Sequence, residues 1–509
     1  MNISILFLLV ALWTPQESDT HSWSDSTGKF SVDATMLVQA SDKLEADVVL
    51  TKSDGKTITV AFDKLGKSSQ RLAQRLRRNA RKERDAMKEQ NEPASAESEK
   101  KTTANGTSKD SPAVQTWNWR GPNRDGISEE TDLIDDWSTK PQLVWTARGL
   151  GNGMSSVAVS GNLIFTLGNI NGNESLIALD RESGREVWTT RIGDGGESNS
   201  TPTVDDDLVF ALGLAGDLVC VETKTGKEVW RKNYERDFGG KMMSQWGYSE
   251  SPLIDGDRLI CTPGGPNAMI VALDRKTGDT IWKTPMRPGG GRGTDGAGYS
   301  SIVISNGGGV KQYLTIVGRG LISVSAKDGR PLWKYERIAN VTANVPTPIV
   351  DGNFVFCSTG YDDGGTALLK LGKQNGSIGF QEIYYLSANQ LQNHHGGMIK
   401  IGDYVYMGEG HNQGFPACIE FKSGRMMWPK NRGAGTGSAA IVAADGHLYF
   451  RYENGVMALV EADPQQYRLK GKFKIATNFK QSWPHPVIFA GKLFLRDQDQ
   501  LHCYDIEAK

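Results

Sequence analysis

The sequence LIALDRESGREVW spans residues 176–188 and is the first clear copy of a unit that recurs along the chain. Related copies begin at 218 (LVCVETKTGKEVW), 270 (IVALDRKTGDTIW), 321 (LISVSAKDGRPLW), 368 (the worn LLKLGKQNGSIGF) and 416 (PACIEFKSGRMMW). The aromatic residues that end the copies are separated by 42, 52, 51, 47 and 48 residues, namely Trp188, Trp230, Trp282, Trp333, Phe380 and Trp428. A period of this length indicates a repeat architecture.

Each part of the unit has a physical role. A Leu-rich, β-branched strand leads to an acid such as Asp180, which can accept backbone N–H bonds within a turn. Gly184 follows four residues later, where a left-handed backbone costs least without a Cβ. The next strand ends on an aromatic residue that we expect to wedge between neighbouring sheets. Ser/Thr/Pro-rich stretches followed by further strands lie between the copies, so each unit has four strands, as in a propeller blade.

The two ends of the repeat region indicate how the ring closes. PQLVWTA around Trp145 has the aromatic strand without its turn, whereas LHCYDIEAK from Leu501 has the preceding strand without an aromatic one. Together these halves complete one blade. Residues 141–506 divided among eight blades give about 46 residues each, close to the observed spacing. We therefore predict an all-β, eight-bladed propeller with four-stranded antiparallel blades, with seven blades as the nearest alternative because the copy from residue 456 matches poorly.

Composition is consistent with a soluble globular protein. The chain has 509 residues, 58 Lys plus Arg against 59 Asp plus Glu, and 59 glycines. A net charge of −1 gives no global argument for nucleic acid as the partner. The high glycine content favours many tight turns over long helices.

The five cysteines show no spacing typical of a zinc site. They fall on repeated packing positions in different blades, too far apart for disulfides. We expect free, buried thiols at Cys220, Cys261, Cys357, Cys418 and Cys503.

The N-terminal apolar run, residues 3–13, is too short to span a bilayer but suits the core of an export signal. We interpret residues 1–20 as a signal peptide, the alternative being a buried N-terminal strand. The predicted location is therefore periplasmic or secreted, with no transmembrane helix after the signal.

Residues 21–66 contain short alternating strands and an Asp54-Gly55 hairpin turn, which predict a small β-barrel. Ile58 and Val60 share one face and should meet Val48 and Leu50 across the turn. The Trp23-Ser-Asp25 start and the DGKTITV hairpin resemble the SLA homology domain, an SH3-like fold. In adaptors that resemblance implies a protein-binding module; a structural cap is equally compatible with this sequence.

A basic segment and a tether follow the barrel, and we assign both to residues 67–114. Residues 64–90 carry ten Lys or Arg and three Asp or Glu, which suits a solvated helix or a dock for an anionic surface. Residues 91–114 lack Leu, Ile and aromatic residues and cannot bury enough surface to fold by themselves. The propeller then occupies residues 115–509.

The D-x-x-[ST]-G-x-x-x-W copies resemble the PQQ-like repeats of quinoprotein alcohol dehydrogenases and of the outer-membrane assembly lipoprotein family. The WNWRGPNRDG stretch from Trp117 resembles the strap that precedes the propeller in bacterial members. The resemblance implies a propeller fold. It says little about function, because the family includes both enzymes and non-catalytic scaffolds. Its catalytic members combine pyrroloquinoline quinone with Ca²⁺, a carboxylate base and adjacent cysteines, and this chain has no adjacent cysteines.

A propeller usually binds its ligand or partner at the mouth of its central channel, where the loops leading into the blades converge. Our candidate ligand-binding residues there are Trp246, Tyr248, Glu250, Arg292, Asp295, Asn344, His394, His395, Glu409, His411 and Arg432. The three histidines suggest either a metal site or, as we favour, a hydrogen-bonded network within the channel. We predict no catalytic residue and no metal ligand.

We therefore expect an exported, non-catalytic binding or scaffold protein with a protein partner and no cofactor. The alternative is a periplasmic quinoprotein alcohol dehydrogenase that uses quinone and Ca²⁺, with ligands drawn from the loops before each blade: Glu197, Asn199, Glu250, Asp295 and Asn344.

Overall fold

The computed structural model describes residues 20–27, 29, 31–37, 47–52, 56–67, 69, 70, 72–74, 76, 116–286, 289–361, 363–374, 376–477, 481 and 483–508. The predicted signal peptide except Thr20, the Asp54-Gly55 turn, the tether at 91–114 and most of the basic segment lie outside these residues. The chain divides into two compact units, residues 1–110 and 111–509. No helix among the described residues is long and apolar enough to span a membrane.

The first unit is a four-stranded antiparallel sheet in the order β1-β2-β3-β4. Its strands are β1 (Thr20–Ser24), β2 (Ser31–Leu37), β3 (Val48–Lys52) and β4 (Thr57–Val60), followed by a 3₁₀ turn, Phe62–Lys64. Val48 pairs with Val60 and Leu50 with Ile58, as the alternation predicts. The indole nitrogen of buried Trp23 donates to the Ala34 carbonyl at 2.9 Å.

The packed part of this unit continues beyond residue 66. The described residues between 67 and 76 are helical. Ala73 is buried in the barrel core, and Leu72 and Leu76 pack against that core. The start of the basic segment is therefore part of the module's hydrophobic core rather than a fully solvated helix.

The second unit contains eight sheets among its described residues, which we call blades 1 to 8. Two strands precede them: β5 (Thr116–Trp117), which extends the sheet of blade 1, and β6 (Gln142–Ala147), which belongs to blade 8. Blades 1 to 4 comprise β7 (Ala158–Ser160), β8 (Leu163–Ile170), β9 (Asn173–Asp180), β10 (Glu186–Asp194); β11 (Thr203–Asp205), β12 (Leu208–Leu212), β13 (Asp217–Glu222), β14 (Glu228–Asn233); β15 (Leu253–Asp255), β16 (Arg258–Cys261), β17 (Ile270–Asp274), β18 (Thr280–Thr284); and β19 (Val303–Ser305), β20 (Gln312–Val317), β21 (Gly320–Ser325), β22 (Pro331–Tyr335). A short helix, α1 (Tyr234–Phe238), follows blade 2, and a 3₁₀ turn, Gly307–Gly309, lies in blade 4.

Blades 5 to 8 comprise β23 (Ile349–Asp351), β24 (Phe354–Thr359), β25 (Gly365–Gln374), β26 (Ser377–Ser387); β27 (Asn393–Ile401), β28 (Tyr404–Glu409), β29 (Phe415–Glu420); β30 (Ala439–Ala444), β31 (His447–Tyr452), β32 (Val456–Glu461), β33 (Leu469–Lys474); and β34 (Val487–Phe489), β35 (Lys492–Asp497), β36 (Gln500–Asp505). Blade 6 has three strands, since its fourth is reduced to a bridge between Ile419 and Met426. The described residues are thus all-β apart from the helical residues between 67 and 76 and the short helical turns.

Blade 8 closes the ring from both ends of the unit. Its β36 pairs antiparallel with β6, and Cys503 lies opposite Trp145. The first strands of successive blades contact one another, as β7 does β11 and β30 does β34, which arranges the blades radially. All five cysteines are buried and free, each in a different sheet.

In most blades the repeat's aromatic residue packs on the turn of the next blade. Trp188 covers Gly226 of blade 2, and its indole nitrogen donates to the Thr223 carbonyl at 3.0 Å. Gly226 has a φ of +68°, and a Cβ there would lie 2.5 Å from the Trp188 ring. Trp145 covers Gly184 in the same way and so links blade 8 to blade 1.

The structure of blade 5 shows that the sequence alignment of the worn repeat, which begins at residue 368, is wrong at its terminal aromatic residue. The aromatic that docks on the next blade is Tyr384, not Phe380: its hydroxyl donates to the Phe421 carbonyl at 2.9 Å and its ring covers Gly424. The β25–β26 hairpin extends about four residues further than in the other blades, which moves Gly376 to its tip. Phe380 instead packs on Trp333 of blade 4.

Candidate functional site

A strap, residues 116–133, closes one side of the central channel. It runs up the channel from the face that carries the turns between first and second strands, and then returns to that face. It contacts every blade, through Trp117 (blade 1), Asn118 (blade 2), Arg124 (blades 3 and 4), Trp119 (blade 5), Arg120 (blade 6), Ser128 (blade 7) and Glu130 (blade 8).

Two buried arginines fix the strap. Arg124 donates to the Ser251 carbonyl at 2.9 Å and to the Ile302 carbonyl at 3.0 Å. Arg120 donates from Nη2 to the carbonyls of Asp125 and Met398. Gly397 makes room for Arg120, because a Cβ there would lie 1.8 Å from Nη1.

The channel above the strap is a cavity of about 450 Å³, which we call the central cavity. Trp119 and Arg120 of the strap form its floor. Its mouth opens on the face where loops lead into the first strands, and Trp246, 49% exposed, lies among the residues that line it. The strap therefore turns an open channel into a pocket with one closed end.

The wall follows a simple rule of register. In each blade one first-strand residue pairs with the centre of the second strand, such as Thr203 with Phe210 or Val487 with Phe494. The residue four positions earlier we call the wall position. The eight wall positions are Met154, Asn199, Ser249, Tyr299, Val345, His395, Gly437 and Trp483, and all but Gly437 line the cavity.

The lining is mainly aromatic and apolar. Its aromatic residues are Trp119, Trp246, Tyr299, Tyr361 and Trp483, together with the imidazoles of His395 and His485. Polar lining residues are Glu197, Asn199, Gln245, Ser249, Thr347, Gln481 and Arg120. A pocket of this kind suits a ligand with a large apolar part held in place by a few polar contacts.

Histidines pack against one another along the blade 6 side. The rings of His394 and His395 stack with centres 3.5 Å apart, and His411 and Tyr361 flank His394 at 4.7 and 4.9 Å. The Tyr361 hydroxyl lies 3.2 Å from His395 Nε2, and His394 Nδ1 lies 2.5 Å from Ser438 Oγ. The hydrogen bonding is partial, since His394 Nε2 and His395 Nδ1 are buried without a partner among the described residues.

Burial keeps these imidazoles neutral. It lowers the pKa of His394 to about 2 and that of His395 to about 3, with neighbouring histidines adding to both shifts. Burial and the Arg120 charge lower the pKa of His485 to about 3. No group of three or more His, Cys, Asp or Glu within the described ranges is arranged to hold a metal ion.

The structure brings few of the eleven candidate residues together. Trp246 and His395 line the central cavity, and His394 and His411 pack behind His395. The remaining seven lie away from its lining: Tyr248, Glu250, Arg292, Asp295, Asn344, Glu409 and Arg432.

Three of these seven are buried structural groups. Tyr248 donates to the Pro263 carbonyl at 2.9 Å, and Asn344 donates to the Val317 carbonyl at 3.0 Å. Glu250 accepts from the Tyr234 hydroxyl at 2.9 Å and from a backbone N–H at 2.5 Å. Burial raises the pKa of Glu250 despite these bonds and the nearby Arg124 charge.

The other four make contacts elsewhere on the propeller. Asp295 pairs with Arg319 beside a separate small pocket. Glu409 lies 3.5 Å from the Lys430 amine, and burial raises the pKa of Glu409. Arg432 stacks on Phe415 with its guanidinium 4.3 Å from the ring centre, and Arg292 donates to the Ala339 carbonyl at 3.3 Å.

The residues named for a quinone and Ca²⁺ do not meet at one point. Glu250 and Asn344 are committed to internal bonds and Asp295 to Arg319. Glu197 and Asn199 line the central cavity, but Asn199 already donates its amide to the Trp246 carbonyl at 3.0 Å. This donor set does not fit a quinone and its calcium ion.

Sequence reasoning missed much of the actual lining: Trp119, Arg120, Tyr299, Tyr361, Gln481, Trp483 and His485. One signal was available. The stretches NSTP, SESP, VPTP and WPHP each place a wall position three residues before a proline, at Asn199, Ser249, Val345 and Trp483. Aligning the loops on that proline finds half of the wall.

Comparison with known proteins supports the fold. The chain matches a PQQ-like repeat family described as "Outer membrane protein assembly factor BamB" over residues 137–217 and 172–430, and SLA1 homology domain 1 over residues 13–80. Among solved structures, BamB of Moraxella catarrhalis has a TM-score of 0.53 at 14% identity and covers 73% of this chain and 99% of its own. Quinohemoprotein alcohol dehydrogenase of Comamonas testosteroni has a TM-score of 0.54 at 11% identity, covering 77% and 81%.

Curated relatives match over shorter stretches. The outer membrane protein assembly factor BamB of Burkholderia pseudomallei is 23% identical over 188 residues, 37% of this chain and 43% of the relative. Tetrathionate hydrolase of Acidithiobacillus ferrooxidans is 24% identical over 157 residues, 29% of this chain and 30% of the relative. The chain thus spans less than half the length of the curated relatives it matches.

Proposed function

Because the chain belongs to the PQQ-like repeat family described as outer membrane protein assembly factor BamB, we propose that it is an exported, non-catalytic binding protein. Its propeller holds a protein partner at the mouth of the central cavity. The apolar run at residues 3–13 supports export to the periplasm or beyond. The relatives named as outer membrane protein assembly factors support a protein as the partner.

The carrying observation is the central cavity itself. It is lined by aromatic residues, a type that is enriched in protein interfaces. One of them, Trp246, is half-exposed. Such residues act as anchors when they enclose a side chain of the partner. His395 and His485 add imidazole rings to this lining, and burial lowers the pKa of both.

The quinoprotein alternative lacks a matching constellation of side chains. Four of its candidates, Glu250, Asp295, Asn344 and Asn199, are engaged in separate contacts within the protein. Catalysis would also require a base within reach of the reacting proton. Glu197 is the one carboxylate that lines the central cavity among the described residues.

A site-specific photocrosslink tests the proposal. Benzoylphenylalanine at Trp246 is expected to capture one discrete envelope protein in cells that express the full chain. Ile281 of blade 3, 46% exposed on an outer strand, is the matched control position. Equal capture at both positions, or capture at Ile281 alone, would show that the partner does not bind at the mouth of the cavity.

A second measurement addresses the alternative directly. Purified protein incubated with pyrroloquinoline quinone and Ca²⁺ is expected to reduce no electron-accepting dye when ethanol is added. Alcohol-dependent dye reduction that is lost on removing the quinone would overturn the non-catalytic assignment.

A further inference from the structure

A second pocket, which we call the lower pocket, lies on the other side of the strap from the central cavity. Its volume is about 320 Å³. The central cavity is lined by Tyr299 and Val345, whereas the lower pocket is lined by Val303 and Ile349, four residues further along the same two segments. Four residues of extended chain span about 13 Å. The lower pocket therefore lies nearer the face that carries the turns between first and second strands.

The blades supply an apolar wall to the lower pocket. Its members come from the first strands of blades 3, 4 and 5 or directly precede one, and they are Leu253, Val303, Ile304, Pro348, Ile349 and Val350. Thr347 is the one polar residue that the blades add to the lining, within the part of the chain that the structure describes. A wall of branched aliphatic side chains accepts an aliphatic group and offers it no hydrogen bond.

The strap supplies the charged side of the lower pocket, through Arg124 and Asp125. Arg124 is 7% exposed, and its Nη1 and Nη2 donate to backbone carbonyls of blades 3 and 4. Its Nε has no acceptor among the described residues. Asp125 accepts at Oδ1 from the Ile127 N–H at 3.0 Å, and no other described residue donates to Oδ2. Neither Nε nor Oδ2 is among the fully buried polar atoms that lack a partner, so both atoms face accessible space.

The two charges do not pair with each other. Burial lowers the pKa of Arg124 to about 10, so the guanidinium stays protonated at neutral pH, and Asp125 does not contribute to that shift. Burial raises the pKa of the Asp125 carboxyl, and the nearby Arg120 charge only partly opposes this. A cation beside Asp125 would favour its ionised form, and an anion beside Arg124 would be held by a charge-assisted hydrogen bond.

We infer that the lower pocket binds a free α-amino acid with a branched aliphatic side chain. Its carboxylate accepts from Arg124 Nε, its ammonium group donates to Asp125 Oδ2, and its side chain packs against the first strands of blades 3 to 5. A zwitterion matches two opposite charges that line one pocket without pairing. The inference is independent of the proposed function, because it concerns the other side of the strap.

Calorimetric titration of the full-length protein with L-leucine and two analogues tests this assignment. 4-Methylpentanoate is leucine without its ammonium group, and 3-methylbutylamine is leucine without its carboxylate. Hydrogen bonds between charged groups predict that leucine binds about ten- to a hundred-fold more tightly than either analogue. Glycine keeps both charges but lacks the aliphatic side chain, so it should also bind more weakly than leucine.

Asp125→Asn assigns the ammonium contact, since the amide oxygen can still accept from the Ile127 N–H. The preference for leucine over 4-methylpentanoate should fall to within threefold in this variant, whereas the preference over 3-methylbutylamine should persist. Glu129→Gln is the matched control, because Glu129 is a strap carboxylate that does not line the lower pocket. Both preferences should be unchanged in it.

Ratios of affinities measured in one variant are insensitive to a general loss of folded protein, so they stay informative if the strap is weakened. An analogue that binds as tightly as leucine overturns the contact with the charge that it lacks. An unchanged pair of preferences in Asp125→Asn, or no binding of any of the four compounds, overturns the assignment of the lower pocket. The photocrosslink at Trp246 tests the proposed function separately, on the opposite face.

Discussion

Gly226→Ala tests whether interlocking of neighbouring blades stabilises the propeller. The substitution has two costs. A non-glycine residue at a φ of +68° loses about 1–2 kcal/mol. The new Cβ would also lie 2.5 Å from the Trp188 ring and 2.7 Å from Thr190 Oγ1, and such overpacking typically costs about 1–3 kcal/mol.

Gly256→Ala is the matched control. Gly256 has a φ of +61°, but its added Cβ would meet nothing within 4 Å. The backbone cost is therefore the same, about 1–2 kcal/mol, and the entropy lost by the unfolded chain on changing Gly to Ala is also shared. The difference between the variants isolates the contact with Trp188.

Urea unfolding followed by tryptophan fluorescence measures both losses of unfolding free energy. We expect Gly226→Ala to lose about 2–5 kcal/mol, which exceeds the loss in Gly256→Ala by about 1–3 kcal/mol. Equal losses of unfolding free energy in the two variants would refute the reasoning. The Trp188 ring would then move aside without an energetic penalty and would not be a rigid link between blades.

Two further predictions concern blade 5 and the buried histidines. Tyr384→Phe should lose about 1 kcal/mol of unfolding free energy, which is the contribution of one hydrogen bond. The conservative change Phe380→Tyr should lose less. If urea unfolding gives the reverse order, Phe380 would be the docking residue. For His394, His395 and His485, the folded pKa values of about 2, 3 and 3 lie below the unfolded value of about 6.5. The unfolded chain therefore binds more protons, and stability present above pH 6.5 is lost as pH falls, by up to about 1.4 kcal/mol per pH unit for each histidine. Replacing His395 with Phe should make the loss between pH 6 and 4 shallower; an unchanged slope would show that this imidazole does not stay neutral.

The fold could be predicted from sequence because its determinants are local and repeated. The strand, turn glycine and terminal aromatic recur in order, and β6 with β36 completes the ring as the split copies indicate. Blade 5 departs from this pattern, since a longer hairpin displaces the glycine and aromatic by about four residues. A pattern of fixed spacing cannot distinguish Phe380 from Tyr384 when both are aromatic and near the expected place.

The candidate site was less predictable because the wall positions share no chemistry. Methionine, asparagine, serine, tyrosine, valine, histidine and tryptophan occupy equivalent places, so only their register relates them. Successive residues of an extended segment face opposite sides. Tyr248, Asn344 and His394 each precede a wall position by one residue, and all three are buried. In the loops before blades 3 and 5 the prediction therefore chose the residue next to the one that lines the cavity.

The central cavity is built by two independent parts of the chain, which explains how one fold can host different functions. The blades fix where the wall positions lie, and all of these positions except His395 of β27 precede the first strand of their blade. The strap supplies the floor, and with it Trp119 and Arg120. Changes at the wall positions would alter the ligand while the strand, turn glycine and aromatic residue of each repeat stay in place. In such an architecture the repeats determine the fold, whereas the function depends on side chains that the repeats do not constrain.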